Sequence, residues 1–135
     1  MGPVPTPPSR YRADDPLDYG HRFHAGNVGD VWKHCALVEI LRRAGPPVAY
    51  LESHAGEGEY TLGPTGEWTE GIGRLWDARP DDGAVGRYLA LCRRLAGDAN
   101  RPARYPGSPC FARAVLGDAA SISLWERDPM ACDRL

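Results

Sequence analysis

Residues 48–60 read VAYLESHAGEGEY, an apolar run that ends in an acid and then in two glycines two apart. Val48 to Glu52 is short and apolar with no helical period, the pattern of a buried strand. Removing side chains at Gly56 and Gly58 lets a backbone turn tightly and approach a ligand closely. In doubly wound folds a strand running into such a turn binds a nucleotide-like ligand at its carboxyl end. The full G-x-G-x-x-G is absent, because Thr61 stands where a third glycine would be. No G-x-x-x-x-G-K-[ST] occurs, so a P-loop is excluded. Glu57 and Glu59 argue against a phosphate and for a cationic ligand such as S-adenosylmethionine, with its sulfonium, ammonium and ribose diol. Taken alone, the pattern fits a plain surface turn equally well.

The flanks give the order of elements. Asn27 to Arg43 has helical spacing at Val28, Val31, Trp32, Cys35 and Val38. Asn27 is the expected N-cap, and Gly45, Pro46 and Pro47 stop the helix. Asp30, Lys33 and His34 share its polar face, which in an average helix is simply solvated. A second strand is expected at Ser121–Glu126. Between the strands, Thr69–Ala78 is a glycine-interrupted helical pattern. Val85, Tyr88, Leu89, Cys92 and Leu95 form a clearer stripe. Ser108 reads as an N-cap before Pro109, with Gly117 ending that helix. Strand, helices, strand is an α/β order.

A dinucleotide fold places its ribose-binding acid about 20 residues after the glycines. Glu126, closing SISLWE, is the candidate here, yet it lies 68 residues beyond Gly58. The reading therefore demands a helical insertion, at about 61–104, inside a nucleotide-binding fold.

Composition narrows the class. The 135 residues carry a net charge of -2, so no overall basic field draws in nucleic acid, and any RNA contact must be local. There is no run of about 20 apolar residues and no signal-peptide layout, so no membrane association is expected. Four cysteines without a C-x-x-C pair predict a soluble cytoplasmic protein with free thiols. Residues 1–16 hold five prolines and little else apolar, which predicts a disordered extension. Of 16 basic residues only Lys33 is a lysine, a choice that suits a flexible ammonium. His21, His24, His34 and Cys35 offer zinc chemistry, but their spacing matches no usual site, and no metal is expected. Trp32, Trp76 and Trp125 read as core, and His24 as an ordinary hydrogen-bonded histidine.

Five stretches in order carry a resemblance: YGHRFHAGNVGDVWKH (19–34), YLESHAGEGEY (50–60), EWTEGIGRLW (67–76), YPGSP (105–109) and SLWERDP (123–129). The chain resembles the large-subunit (23S) ribosomal RNA adenine-N6 methyltransferases of the RlmJ type, from about Tyr19 to its last residue. The resemblance implies a Rossmann-like methyltransferase fold with an inserted helical subdomain, S-adenosyl-L-methionine as cofactor and 23S ribosomal RNA as partner. It places Lys33, His34, His54, Gly56, Gly58, Ser108 and Glu126 at the cofactor. Tyr19 and His21, with Lys33, meet the target adenine, where a tyrosine ring replaces the stacking that an extruded base loses. Two features depart from the family pattern: the first-strand acid is Glu52, not aspartate, and a Pro-rich segment precedes Tyr19.

One motif of the family is absent. Its [Asp/Asn]-Pro-Pro-aromatic loop, which aligns the amino group with the methyl, has no counterpart in these residues: GPPV (45–48) lacks the acid and the ring, and RDPM (127–130) lacks the second proline. Residues 17–135 therefore read as the N-terminal part of a methyltransferase domain, truncated after the second strand, with no catalytic residue of its own. A sheet edge left exposed in this way predicts self-association. The alternative is a non-catalytic fragment that serves as a cofactor- or partner-binding module.

Overall fold

The structure, a computed structural model, describes residues 21–97 and 100–135. The Pro-rich segment 1–16, Tyr19 and the side chain of His21 lie outside the described residues.

A short helix α1 (His21–His24) leads into α2 (Val28–Ala44). The Asn27 side chain accepts from the Asp30 amide at 2.9 Å, the expected N-cap, worth about 1 kcal/mol. Arg42 and Arg43 lie in the last turn, where cations suit the helix dipole, and Gly45 closes it. After α2 come β1 (Ala49–Glu52), β2 (Glu59–Thr61), a 3-10 turn (Glu67–Thr69) and α3 (Ile72–Leu75). Then follow α4 (Ala84–Ala96), β3 (Arg104–Pro106), α5 (Ser108–Leu116), β4 (Ser121–Leu124) and α6 (Pro129–Cys132). The arrangement is an α/β fold.

β1 and β4 pair in parallel, with Ala49 opposite Ser121 and Glu52 opposite Leu124. A parallel pair needs a crossover, and here everything from the glycine turn to α5 lies within it. The hydrogen bonding continues past the strands, from the Trp125 amide to the Glu52 carbonyl at 2.8 Å and from the Ala55 amide to the Trp125 carbonyl at 3.0 Å. That extension holds Glu126 beside the glycine turn. β2 and β3 form a separate antiparallel ribbon, with Tyr60 opposite Tyr105, which brackets residues 62–103. The sequence reading misses this ribbon, since three-residue strands are too short to show alternation.

Two apolar clusters hold the layers. Val38, Trp68, Ile72, Trp76, Tyr88, Leu89, Cys92, Tyr105 and Phe111 join α2, α4 and the ribbon. Full burial of a side chain such as Leu89 or Phe111 contributes roughly 1.5–3 kcal/mol. Leu41, Ala112, Leu116 and Ala120 join α2 and α5, with Tyr50 and Ile122 of the sheet packed against them. Only one face of β1 is covered among the described residues, so Leu51 is 67% exposed and the strand is not buried on both faces as its composition predicts.

Three other expectations change. Trp32 and Trp125 are exposed at 75% and 55%, and only Trp76 of the three predicted core tryptophans is buried. Trp32 lies on the solvent side of α2, and Trp125 directly follows β4. Val85 of the α4 stripe is likewise exposed, and Ala96 is buried in that helix instead. Thr69–Ala78 is not one helix, because it breaks at Gly71 into a 3-10 turn and a single α turn. Among the described residues no helix is long and apolar enough to cross a membrane, and no group of three His, Cys, Asp or Glu is placed to hold a metal. All four cysteines are unpaired.

Candidate functional site

A cavity of about 350 Å³ opens where α2, the glycine turn, the start of α5 and the end of β4 meet. Pockets for small ligands usually lie between about 300 and 1,000 Å³. Lys33, His34, His54, Gly56, Ser108 and Glu126 all line it. Gly58 does not line it. Its carbonyl accepts the Gly107 amide at 2.6 Å and the Cys110 thiol at 3.1 Å, which ties the turn to the start of α5.

Gly56 and Gly58 have φ of 68° and 75°, the left-handed region that favours glycine. A Cβ on Gly56 would run into the Tyr60 hydroxyl. That hydroxyl accepts the Glu57 amide at 3.3 Å and borders the cavity. The missing side chain therefore serves the packing of Tyr60 under the turn. The Gly56 amide donates to Glu126 Oε2 at 2.7 Å, and the Asp128 amide donates to Oε1 at 2.9 Å.

Ser108 is the first residue of α5 and not its cap, a role taken by Gly107. Its hydroxyl is directed elsewhere, donating to Glu52 Oε1, while Tyr50 donates to Glu52 Oε2 at 2.9 Å. Burial, followed by the Glu52 carboxylate, pushes the Tyr50 phenol well above its ordinary value. Glu52 thus links the carboxyl end of β1 to the start of α5. It plays this bracing part with the longer acid side chain.

On α2, Lys33 Nζ lies 2.7 Å from Asp30 Oδ1, and Asp30 Oδ2 accepts the Gly26 amide at 2.9 Å. Asp30 therefore anchors both the turn before α2 and the lysine. His34 is buried, with Nδ1 2.7 Å from the Tyr105 hydroxyl. Burial is the main cause that lowers its pKa to about 4, so the ring is neutral at pH 7. His54 is exposed, with Nδ1 2.8 Å from Ser53 Oγ.

The acids of the glycine turn do not face the ligand space. Glu57 pairs with Arg134 at 2.7 Å and Arg22 at 3.6 Å, and Glu59 with Arg104 at 3.0 Å. Glu57 and Glu59 are thus taken up by arginines and do not select for a cationic ligand. Asp30 and Glu126 are the acids that border the cavity. His24, Asn27 and Tyr60 also line it and escape the sequence reading. His24 contacts Glu67 at 2.9 Å, and the Asn27 side-chain Nδ2 donates to Glu67 at 2.9 Å. A tyrosine two residues after a glycine pair was the available signal for Tyr60. Nothing in the local pattern marks His24.

Residues 45–135 match the family described as ribosomal RNA large subunit methyltransferase D, RlmJ. The chain belongs to this family. It is 38% identical over 124 residues to ribosomal RNA large subunit methyltransferase J of Escherichia coli K12, covering 84% of this chain and 43% of that protein. The Haemophilus influenzae protein of the same name is 38% identical over 123 residues, with the same coverage. A crystal structure of protein LPL1258 from Legionella pneumophila superposes with a TM-score of 0.74 at 33% identity, covering 83% of this chain and 43% of that one. The chain thus spans less than half the length of the relatives it matches.

Proposed function

We propose that the cavity binds S-adenosyl-L-methionine, and that this chain is the donor-binding, N-terminal part of a Rossmann-like enzyme that methylates N6 of an adenine in 23S ribosomal RNA. The observation that carries the reading is the bond from Glu126, past β4, to Gly56, past β1. It sets an acid and a glycine turn at adjacent carboxyl ends of two parallel strands, where nucleotide ligands bind in α/β sheets. Family membership supports the same reading.

The residues fit the group. The cavity has the volume of a small-ligand site, and Glu126, in its lining, is an acid of the kind that accepts from a ribose diol. When bound, the cofactor supplies a methyl group activated by a sulfonium. Glu126, held by the Gly56 amide, orients the nucleoside. His54 and Ser108 border the nucleoside space, and Gly58 acts on it through Gly107. Lys33, exposed at the rim and steadied by Asp30, stands between donor and RNA. Tyr19 and His21 remain the proposed contacts to the adenine. Residues 61–104 are the helical insertion, and the unpaired thiols support a cytoplasmic setting.

The 135 residues contain no Asp-Pro-Pro-aromatic sequence, so they bind the donor and do not by themselves transfer its methyl. Positioning of reacting groups contributes on the order of 7–11 kcal/mol to such reactions. The second reading, a non-catalytic binding module, rests on that missing motif. Transfer of labelled methyl to unmodified large-subunit RNA separates the possibilities. The expected result is no transfer by this chain and transfer by a chain extended through the motif. Equal turnover by both would show that the chemistry is wrongly assigned.

A further inference from the structure

Beneath the cavity runs a buried polar chain that joins three elements. The Tyr88 hydroxyl of α4 lies 3.0 Å from the Tyr105 hydroxyl of β3, which lies 2.7 Å from His34 Nδ1 of α2. Tyr88 and Tyr105 are 0% and 1% exposed, and His34 is 4% exposed. Phe111 packs against all three rings. Unpaired polar groups in such a place are costly, and among the described residues no buried side-chain nitrogen or oxygen lacks a partner.

The protons in this chain have a preferred order. A phenol is a better donor than a neutral imidazole N–H, and an imidazole nitrogen is a better acceptor than a phenol oxygen. The short contact is therefore Tyr105 O–H donating to Nδ1. Tyr105 then accepts from Tyr88. Burial keeps both phenols protonated. With Nδ1 occupied as an acceptor, the imidazole proton sits on Nε2, the nitrogen left for the cavity that His34 lines.

We infer that Tyr105, backed by Tyr88, is a positioning residue that holds His34 as its Nε2–H tautomer and presents that proton to an acceptor oxygen of the bound ligand. The inference rests on the reading of the cavity as a methyl-donor site. It gives β3 a part in ligand binding that needs no contact with the ligand.

Two readouts on the 135-residue chain test it. Long-range proton–nitrogen spectra of the labelled imidazole report the tautomer. The expected spectrum for His34 has Nε2 protonated and Nδ1 bare. A proton on Nδ1 in the unsubstituted chain overturns the inference, whatever any variant does. Tyr105→Phe keeps the ring and should release the tautomer into a mixture. It should also weaken S-adenosylhomocysteine by about 2-fold, the loss when about half of the rings carry their proton on the wrong nitrogen. Tyr88→Phe keeps the bond to Nδ1 and should leave the tautomer in place. A Tyr105→Phe chain with unchanged tautomer or unchanged affinity also overturns the inference. Absence of any binding by the unsubstituted chain would instead sink the donor-site reading, and the imidazole spectrum would still decide the order of protons.

Discussion

Glu126 accepts the Gly56 amide at 2.7 Å across 70 residues of sequence, so one carboxylate both closes the glycine turn and faces the ligand space. Removing it should therefore have two effects. Glu126→Ala should weaken S-adenosylhomocysteine by about 1.5–3 kcal/mol, the range for hydrogen bonds to a charged group. Glu126→Gln retains an acceptor for the Gly56 amide, so it should keep the fold and lose part of the affinity. Calorimetry giving both variants the affinity of the unsubstituted chain would remove Glu126 from the site.

Gly56 is held at φ 68° with the Tyr60 hydroxyl in the place of its Cβ. Gly56→Ala should cost about 1–3 kcal/mol through backbone strain alone, with the clash added. Pairing it with Tyr60→Phe should recover part of the loss, because the phenol oxygen is the atom in the way. Urea unfolding of the two variants provides the comparison. No recovery in the double variant would mean that the turn needs glycine for some reason other than Tyr60.

How much of this was legible in the sequence depended on how local the cause was. Helix α2 could be read because Asn27, the apolar spacing and Gly45 act within the segment itself. The meeting of Gly56 with Glu126 could be anticipated from strand order. Trp32 and Trp125 were misread because an apolar side chain states a preference for burial and not whether a covering layer is at hand. The ribbon of β2 and β3 stayed hidden because its pairing is set by Tyr60 meeting Tyr105 across 45 residues. Asp30 was visible on the polar face of α2, but only the fold shows it bound to Lys33 and the Gly26 amide.

The pH dependence of stability should carry the mark of His34. Its folded pKa is lowered to about 4 from 6.5, chiefly by burial, so the unfolded chain binds the proton first as pH falls. Stability from this residue is complete above pH 6.5, falls between 6.5 and 4, and levels off below. The shift corresponds to roughly 3 kcal/mol at about 1.4 kcal/mol per pKa unit. Glu39, held down to about 2 by hydrogen bonds from Arg87 and then Arg42, adds a loss only below about pH 4.5. Urea midpoints at pH 7 and pH 5 should differ, and His34→Gln should flatten that interval. An unchanged slope in His34→Gln would place the titration elsewhere.

β1 pairs only with β4 among the described residues, and Leu51 on its uncovered face is 67% exposed. An unpaired edge beside apolar surface favours association. Sedimentation should show oligomers that grow with concentration, and Leu51→Lys should shift them toward monomer. A monodisperse, concentration-independent monomer would contradict this.

The central claim is that the cavity at the ends of β1 and β4 holds the methyl donor. Amide spectra of the labelled chain, titrated with S-adenosylhomocysteine, test it residue by residue. The account predicts shifts concentrated at Lys33, His34, Ala55, Gly56, Ser108 and Glu126, lost together in Glu126→Ala. Shifts centred instead on the groove between α2, α4 and α5, at Arg42, Arg87 and Arg94, or no shifts at all, would contradict it.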